Sequence, residues 1–165
     1  MNAEPSASAG SVRLRPAKEE DGERVLSWAN DPATRRASFH SAPIAPEQHQ
    51  RWFSSVLRDP HRTLLIAEYA GSAIAVVRLD RGSGASAELS LNLAPERRGR
   101  RLSAPVLAAA VEHARALGLT TLVARIRPEN GKSLRTFTGA GFRLAGREVV
   151  AGQDALRYEL RLDDG

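Results

Sequence analysis

Cysteine is absent from this 165-residue chain, and lysine nearly so: Lys18 and Lys132 are its only two. Without cysteine there is no disulfide and no thiolate metal site. The composition is compatible with the cytoplasm, where the chain is expected. No apolar run approaches the ~20 residues that span a bilayer, so no membrane partner is expected. Residues 1–10 lack the basic and apolar regions of a secretory signal and read as a short disordered tail. No set of His, Asp and Glu has metal-ligand spacing, so no metal is expected. No Ser sits in Gly-x-Ser-x-Gly. Aromatic residues make up only 5% and do not alternate with the arginines, which argues against a nucleic-acid partner. Internal repeats and low-complexity core segments are also missing.

Arginine fills the place lysine leaves. Twenty-four basic residues against 19 acidic ones give a net charge of +5, nearly all of the positive side from Arg. That balance suits an anionic small ligand as well as a polynucleotide. The length fits one domain, residues 11–162. The segment 11–15 alternates as a strand and meets Pro16. A helix is predicted over 18–29 with Val25, Leu26 and Trp28 inside, ended by Asn30-Asp31-Pro32. Residues 33–45 show no clear periodicity and read as irregular or a short second helix. Pro46 opens a helix whose stripe is Trp52, Phe53, Val56 and Leu57. Strands are expected over 64–68, 73–79 and 87–93, then a helix over 101–117 closed by Gly118. A strand over 121–126, a short helix from Asn130 or Gly131 to about Gly141, and a hairpin of 142–150 with 156–162 complete the order. This is a mixed α/β sheet with helices on its faces.

One stretch stands out. Glu96-Arg97-Arg98-Gly99-Arg100-Arg101-Leu102-Ser103-Ala104 lies where a strand ends and a helix begins. A helix start leaves backbone N–H groups unpaired and carries partial positive charge. A glycine-containing loop feeding it makes an anion site. Gly99 lets the backbone come close, Ser103 adds a hydroxyl, and Arg97, Arg98, Arg100 and Arg101 bring charge. The loop suits a pyrophosphate, but it is neither a P-loop nor a Gly-x-Gly-x-x-Gly fingerprint.

Together with Arg127-Pro128-Glu129-Asn130-Gly131-Lys132-Ser133 and Gly141-Phe142, this loop resembles the GNAT family of N-acetyltransferases. Their coenzyme loop reads Arg/Gln-x-x-Gly-x-Gly/Ala; here Arg98 opens it, Arg101 replaces the inner glycine and Ser103 the last residue. The Asn130, Ser133, Gly141 and Phe142 positions match the family's downstream pattern. Residues 28–35, 47–53 and 89–96 are similar to one branch, which acetylates the 4-amino group of a UDP-linked amino sugar on the route to pseudaminic acid. The resemblance implies a mixed, mainly antiparallel central sheet of about seven strands flanked by about four helices. It implies acetyl-CoA as donor, lying in a splay between strands 88–93 and 121–127. Leu91 and Leu93 would pair with pantetheine through their backbones, Arg98 to Ala104 would hold the pyrophosphate, and Asn130 would bond the pantetheine arm or cap its helix.

Acetyl transfer to an amine needs a base, a polarised carbonyl and a proton for the thiolate. Glu88 and Glu129 are the candidate bases. The family's usual acid is a Tyr, and Phe137 stands there, packing pantetheine or core. The proton then comes from water, Ser133 or the product ammonium. Asn30, His49 and Trp52 are candidates to line a sugar or uracil pocket, with Trp52 equally suited to the core. The expected substrate is a small amine, with a UDP-amino sugar first, a protein N-terminus second, and a non-catalytic acyl-CoA-binding module third. A homodimer is compatible with the chain.

Overall fold

The computed structural model describes residues 11–162; the tail expected over 1–10 lies outside them. Alternation at residues 12–15 gives β1 (Val12–Pro16). A 3-10 turn, Glu19–Asp21, then feeds α1 (Gly22–Ala29), so the helix expected over 18–29 forms in two pieces. Asp31 caps the next helix, accepting from the N–H groups of Ala33 and Thr34, and Pro32 occupies its first turn. That helix is α2 (Pro32–Ala37), the short one admitted as an alternative. α3 (Pro46–Arg58) buries His49, Phe53 and Val56, one stripe at spacings of four and three.

The strands β2 (Arg62–Tyr69), β3 (Ser72–Arg81) and β4 (Ser86–Leu93) form a meander. α4 (Ser103–Ala116) follows, two residues shorter at its start than expected. Its far end closes as predicted: Gly118 has φ +83, Gly118 N–H donates to Arg115 O, and Leu119 N–H donates to Ala114 O. Then come β5 (Thr121–Ile126), α5 (Gly131–Gly139), β6 (Arg143–Val150) and β7 (Gln153–Arg161). The described residues thus hold five α-helices rather than about four, the addition being α2.

All seven strands join one sheet in the order β1-β2-β3-β4-β5-β7-β6, antiparallel except at β4/β5. Strand alternation divides the core in two. Leu65, Val77, Leu79, Leu89 and Leu122 pack with Val106, Leu107 and Ala110 of α4 and Phe137 of α5. Leu64, Ile66 and Val76 pack on the other side with Val25 and Trp28 of α1 and Phe53 and Val56 of α3. No helix among the described residues is long and apolar enough to cross a membrane.

Candidate active site

The parallel pairing of β4 and β5 is short: Ser86 to Glu88 lie against Thr121 to Val123, and there it stops. Beyond that point Leu89 to Leu93 stay on β3, in register from Leu79 to Ala75, while Ala124 to Ile126 stay on β7. The two central strands therefore fork. Leu91 and Leu93 sit on the β4 side of the fork and pack partly on the α4 core. Their backbones have no partner strand on the β5 side among the described residues.

The arginine loop closes the wide end. A 3-10 turn at Pro95–Arg97 leads into Gly99 (φ +76) and Arg101 (φ +58). Arg101 takes the left-handed conformation that a glycine adopts without strain, at the position where the family pattern has glycine. This explains why α4 starts at Ser103 and not at Arg101. No described residue accepts from the backbone N–H groups of Gly99 to Ala104, and Pro105 has none to offer. Arg97, Arg100 and Arg101 have no ion-pair partner among the described residues. Bare amides and free guanidiniums at a helix start fit a diphosphate. Replacing Arg101 by Gly should relieve the left-handed strain and raise Tm by about 1–4 °C in a melting experiment.

Arg98 is placed differently. Its Nη2 donates to Asp31 Oδ2 at 2.8 Å and Thr34 Oγ1 at 2.7 Å, so it ties the loop to the start of α2. That bond, first among several causes, holds the Asp31 carboxyl below the usual aspartate range. On the opposite side of the fork Arg127 Nη1 donates to the carbonyls of Arg36 (2.7 Å) and Ser38 (3.2 Å). α2 is therefore fastened from the chain segments following both diverging strands. A cleft of about 330 Å³ lies here, lined by Arg36, Arg127, Glu129, Asn130 and Lys132 among others.

Asn130 caps α5, its Oδ1 accepting from Ser133 N–H at 3.3 Å. Ser133 is half-buried in the first turn. Phe137 is core: 4% exposed, edge-on to Phe142 with ring centroids 5.0 Å apart. Glu129 is exposed and lies 3.4 Å from Arg127 Nε. Glu88 points to the face opposite α4 and α5, 37% exposed, with Oε1 2.9 Å from Arg125 Nη1. Arg125 and its partner Glu148, at 2.6 Å, were not singled out from the sequence. Both lie on expected strands, but their pairing depends on strand order.

Two expected pocket residues have other tasks. Asn30 uses both ends of its amide on Ile44, Nδ2 to the carbonyl at 2.9 Å and Oδ1 from the N–H at 2.8 Å, and so fixes the chain before α3. His49 is 5% exposed, stacked on Phe53 and tilted against Trp52. Its Nε2 has no partner among the described residues, and burial pushes its basicity down. Trp52 remains half-buried with the Arg78 guanidinium 5.8 Å from its ring centroid.

The acetyltransferase (GNAT) domain family matches residues 11–143. An L-methionine sulfoximine/L-methionine sulfone acetyltransferase of Pseudomonas aeruginosa is 28% identical over 154 residues, 90% of each chain. A Bacillus subtilis protein named only provisionally as a phosphinothricin acetyltransferase is 30% identical over 159 residues, 92% of this chain and 96% of its own. Among solved structures, the spermidine N-acetyltransferase of Vibrio cholerae in complex with CoA and spermine shares the fold. Its TM-score is 0.84 at 19% identity, covering 93% of this chain and 96% of that one. The chain belongs to the GNAT acetyltransferase family: it is an acyltransferase, and acetyl-CoA is its acetyl donor.

Proposed function

We propose that this enzyme acetylates the primary amine of a small, amino-acid-like acceptor that carries an acidic group near the amine. The observation that carries this reading is Glu88 beside the fork, with one carboxylate oxygen on Arg125 and Arg78 presented on the same face over Trp52. A carboxylate can take the amine proton and an arginine can hold the acid. The names of the relatives, both amino-acid analogues, support the same class.

Bound acetyl-CoA supplies the acetyl group as a thioester. The amides of residues 99–104 with Arg97, Arg100 and Arg101 would hold its diphosphate, and the free edge of β4 at Leu91 and Leu93 its pantetheine. Gly99 keeps that loop open. Glu88 is preferred over Glu129 as the base, since 71% of the Glu129 side chain is exposed although it lines the cleft. For the proton returned to sulfur, Ser133 is the hydroxyl of α5 still available. Those of Thr136 and Thr138 are bonded to the carbonyls of Lys132 and Leu134.

A UDP-linked amino sugar is the competing acceptor, supported by Trp52 and Arg78 as a platform for a base. A thiol-release assay with acetyl-CoA decides, run over methionine sulfoximine, phosphinothricin, polyamines, N-terminal peptides and UDP-amino sugars. The amino-acid analogues should give the highest kcat/KM. Turnover confined to the sugars or peptides would overturn the acceptor reading. Acetyl-CoA at about 100 Kd should raise Tm by about 5–10 °C. The Arg101→Gly variant should bind it several-fold more weakly while being more stable when free.

A further inference from the structure

Arg125 and Arg157 stand directly opposite each other in the β5–β7 ladder, a pairing that repels on its own. Glu148 reaches over β7 from the edge strand β6 and joins them. Its Oε1 accepts from Arg125 Nε at 2.6 Å, and its Oε2 accepts from Arg157 Nη1 at 3.4 Å. Arg157 is shared in turn with Glu159 at 2.8 Å. Arg125 has its Nη1 left for Glu88 Oε1. A chain of alternating charges thus runs from the sheet edge to the fork.

We propose that Arg125 is a positioning residue for Glu88, and that Glu148 sets how much of the Arg125 charge Glu88 receives. The inference rests on Glu88 as the base in the reaction proposed above. The contact at Nε orients the guanidinium, and Nη1 then fixes Glu88 Oε1. With Oε1 engaged by Arg125, Oε2 is the oxygen that would face an amine. The Arg125–Glu148 bond also holds Arg125 more firmly protonated and Glu148 below the usual carboxylate range. Other charges facing Glu88 are few. Asp80 of β3 is directly opposite it, held by Arg62 and Arg78 at 3.1 and 3.0 Å. Glu159 of β7 is in register with Val123, the β5 partner of Glu88.

The two ends of this chain pull in opposite directions, which makes the test specific. Removing Arg125 takes a positive charge from Glu88; removing the charge of Glu148 leaves Arg125 undivided. The acid limb of kcat/KM, which reports the base in the free enzyme, should move to higher pH in R125Q, where the facing positive charge is gone. It should move to lower pH in E148Q. R125K keeps the charge but cannot hold two carboxylates at fixed Nε and Nη1 positions. It should return the limb toward wild type while leaving kcat several-fold low. Loss of rate with an unmoved limb, or movement of R125Q and E148Q in one direction, overturns the proposal. Retention of the limb in E88Q overturns it together with the base assignment. Carbon-13 titration of the Glu88 carboxylate in the same variants reads the same opposed shifts with no acceptor present. A wrong acceptor and an absent relay therefore give different results.

Discussion

Glu88→Gln lowers kcat/KM for amine acetylation by about 100-fold or more and leaves the coenzyme-induced rise in Tm unchanged. The size follows from general-base catalysis, which contributes roughly 10²–10⁴ when the base is positioned at the reacting proton. Gln keeps the shape and can still accept from Arg125 Nη1, so the charge chain across β5, β6 and β7 survives. It cannot take a proton from an ammonium at neutral pH. Glu88 is partly exposed at the sheet face and pairs only with its neighbours on that face, so folding should barely change. Melting with and without acetyl-CoA separates chemistry from binding. If Glu88→Gln keeps more than a third of wild-type kcat/KM, the proton goes elsewhere and Glu129→Gln becomes the informative variant.

Asp21→Ala is the large stability effect, expected to cost about 2–4 kcal/mol and to lower Tm by about 4–15 °C. Asp21 is 1% exposed and collects four donors. Arg15 approaches end-on, with Nη1 and Nη2 at 2.8 and 2.9 Å, Lys18 N–H lies at 2.8 Å, and Arg24 Nη1 at 3.2 Å. Removing the carboxylate strands Arg15 with Glu68 as its one remaining ion-pair partner among the described residues, and uncaps the turn before α1. The Arg15 bond, first among the causes, holds the Asp21 carboxyl below the ordinary aspartate range. A depressed folded-state value gives a stabilisation that is whole above the unfolded range, about pH 4, and lost as pH falls below it. The Tm gap between wild type and Asp21→Ala should therefore narrow as pH is lowered from 6 toward 3. A gap that is constant across that range, or no gap at pH 7, would rule out the buried ion pair as its source.

A loop suited to a diphosphate was far more legible than any pocket for an acceptor. Bare amides at the start of α4 follow from a strand, a loop and a helix in succession, with Gly99 and the arginines written in one short stretch. Leu91 and Leu93 came from the resemblance to the GNAT family, not from any pattern in their own strand. Asn30, His49 and Trp52 were harder because polar or aromatic residues on an amphipathic helix serve a pocket and a core equally well. Burial of His49 and the two bonds from Asn30 to Ile44 were decided by how α1, α3 and the intervening chain pack. Arg98 looked like one more phosphate ligand, yet its nearest acceptors are Asp31 and Thr34, 67 and 64 residues away along the chain.

The amino-acid sequence by itself determined where strands and helices run and where a diphosphate could be held, because period, caps and turn residues act over a few neighbours. Tertiary structure alone decided that β4 and β5 part after Glu88, that β7 lies between β5 and β6, and hence that Glu148 meets Arg125. Those contacts join segments far apart in the chain. Their energy depends on which strand edges and side-chain faces meet, and no local pattern of residues carries that information.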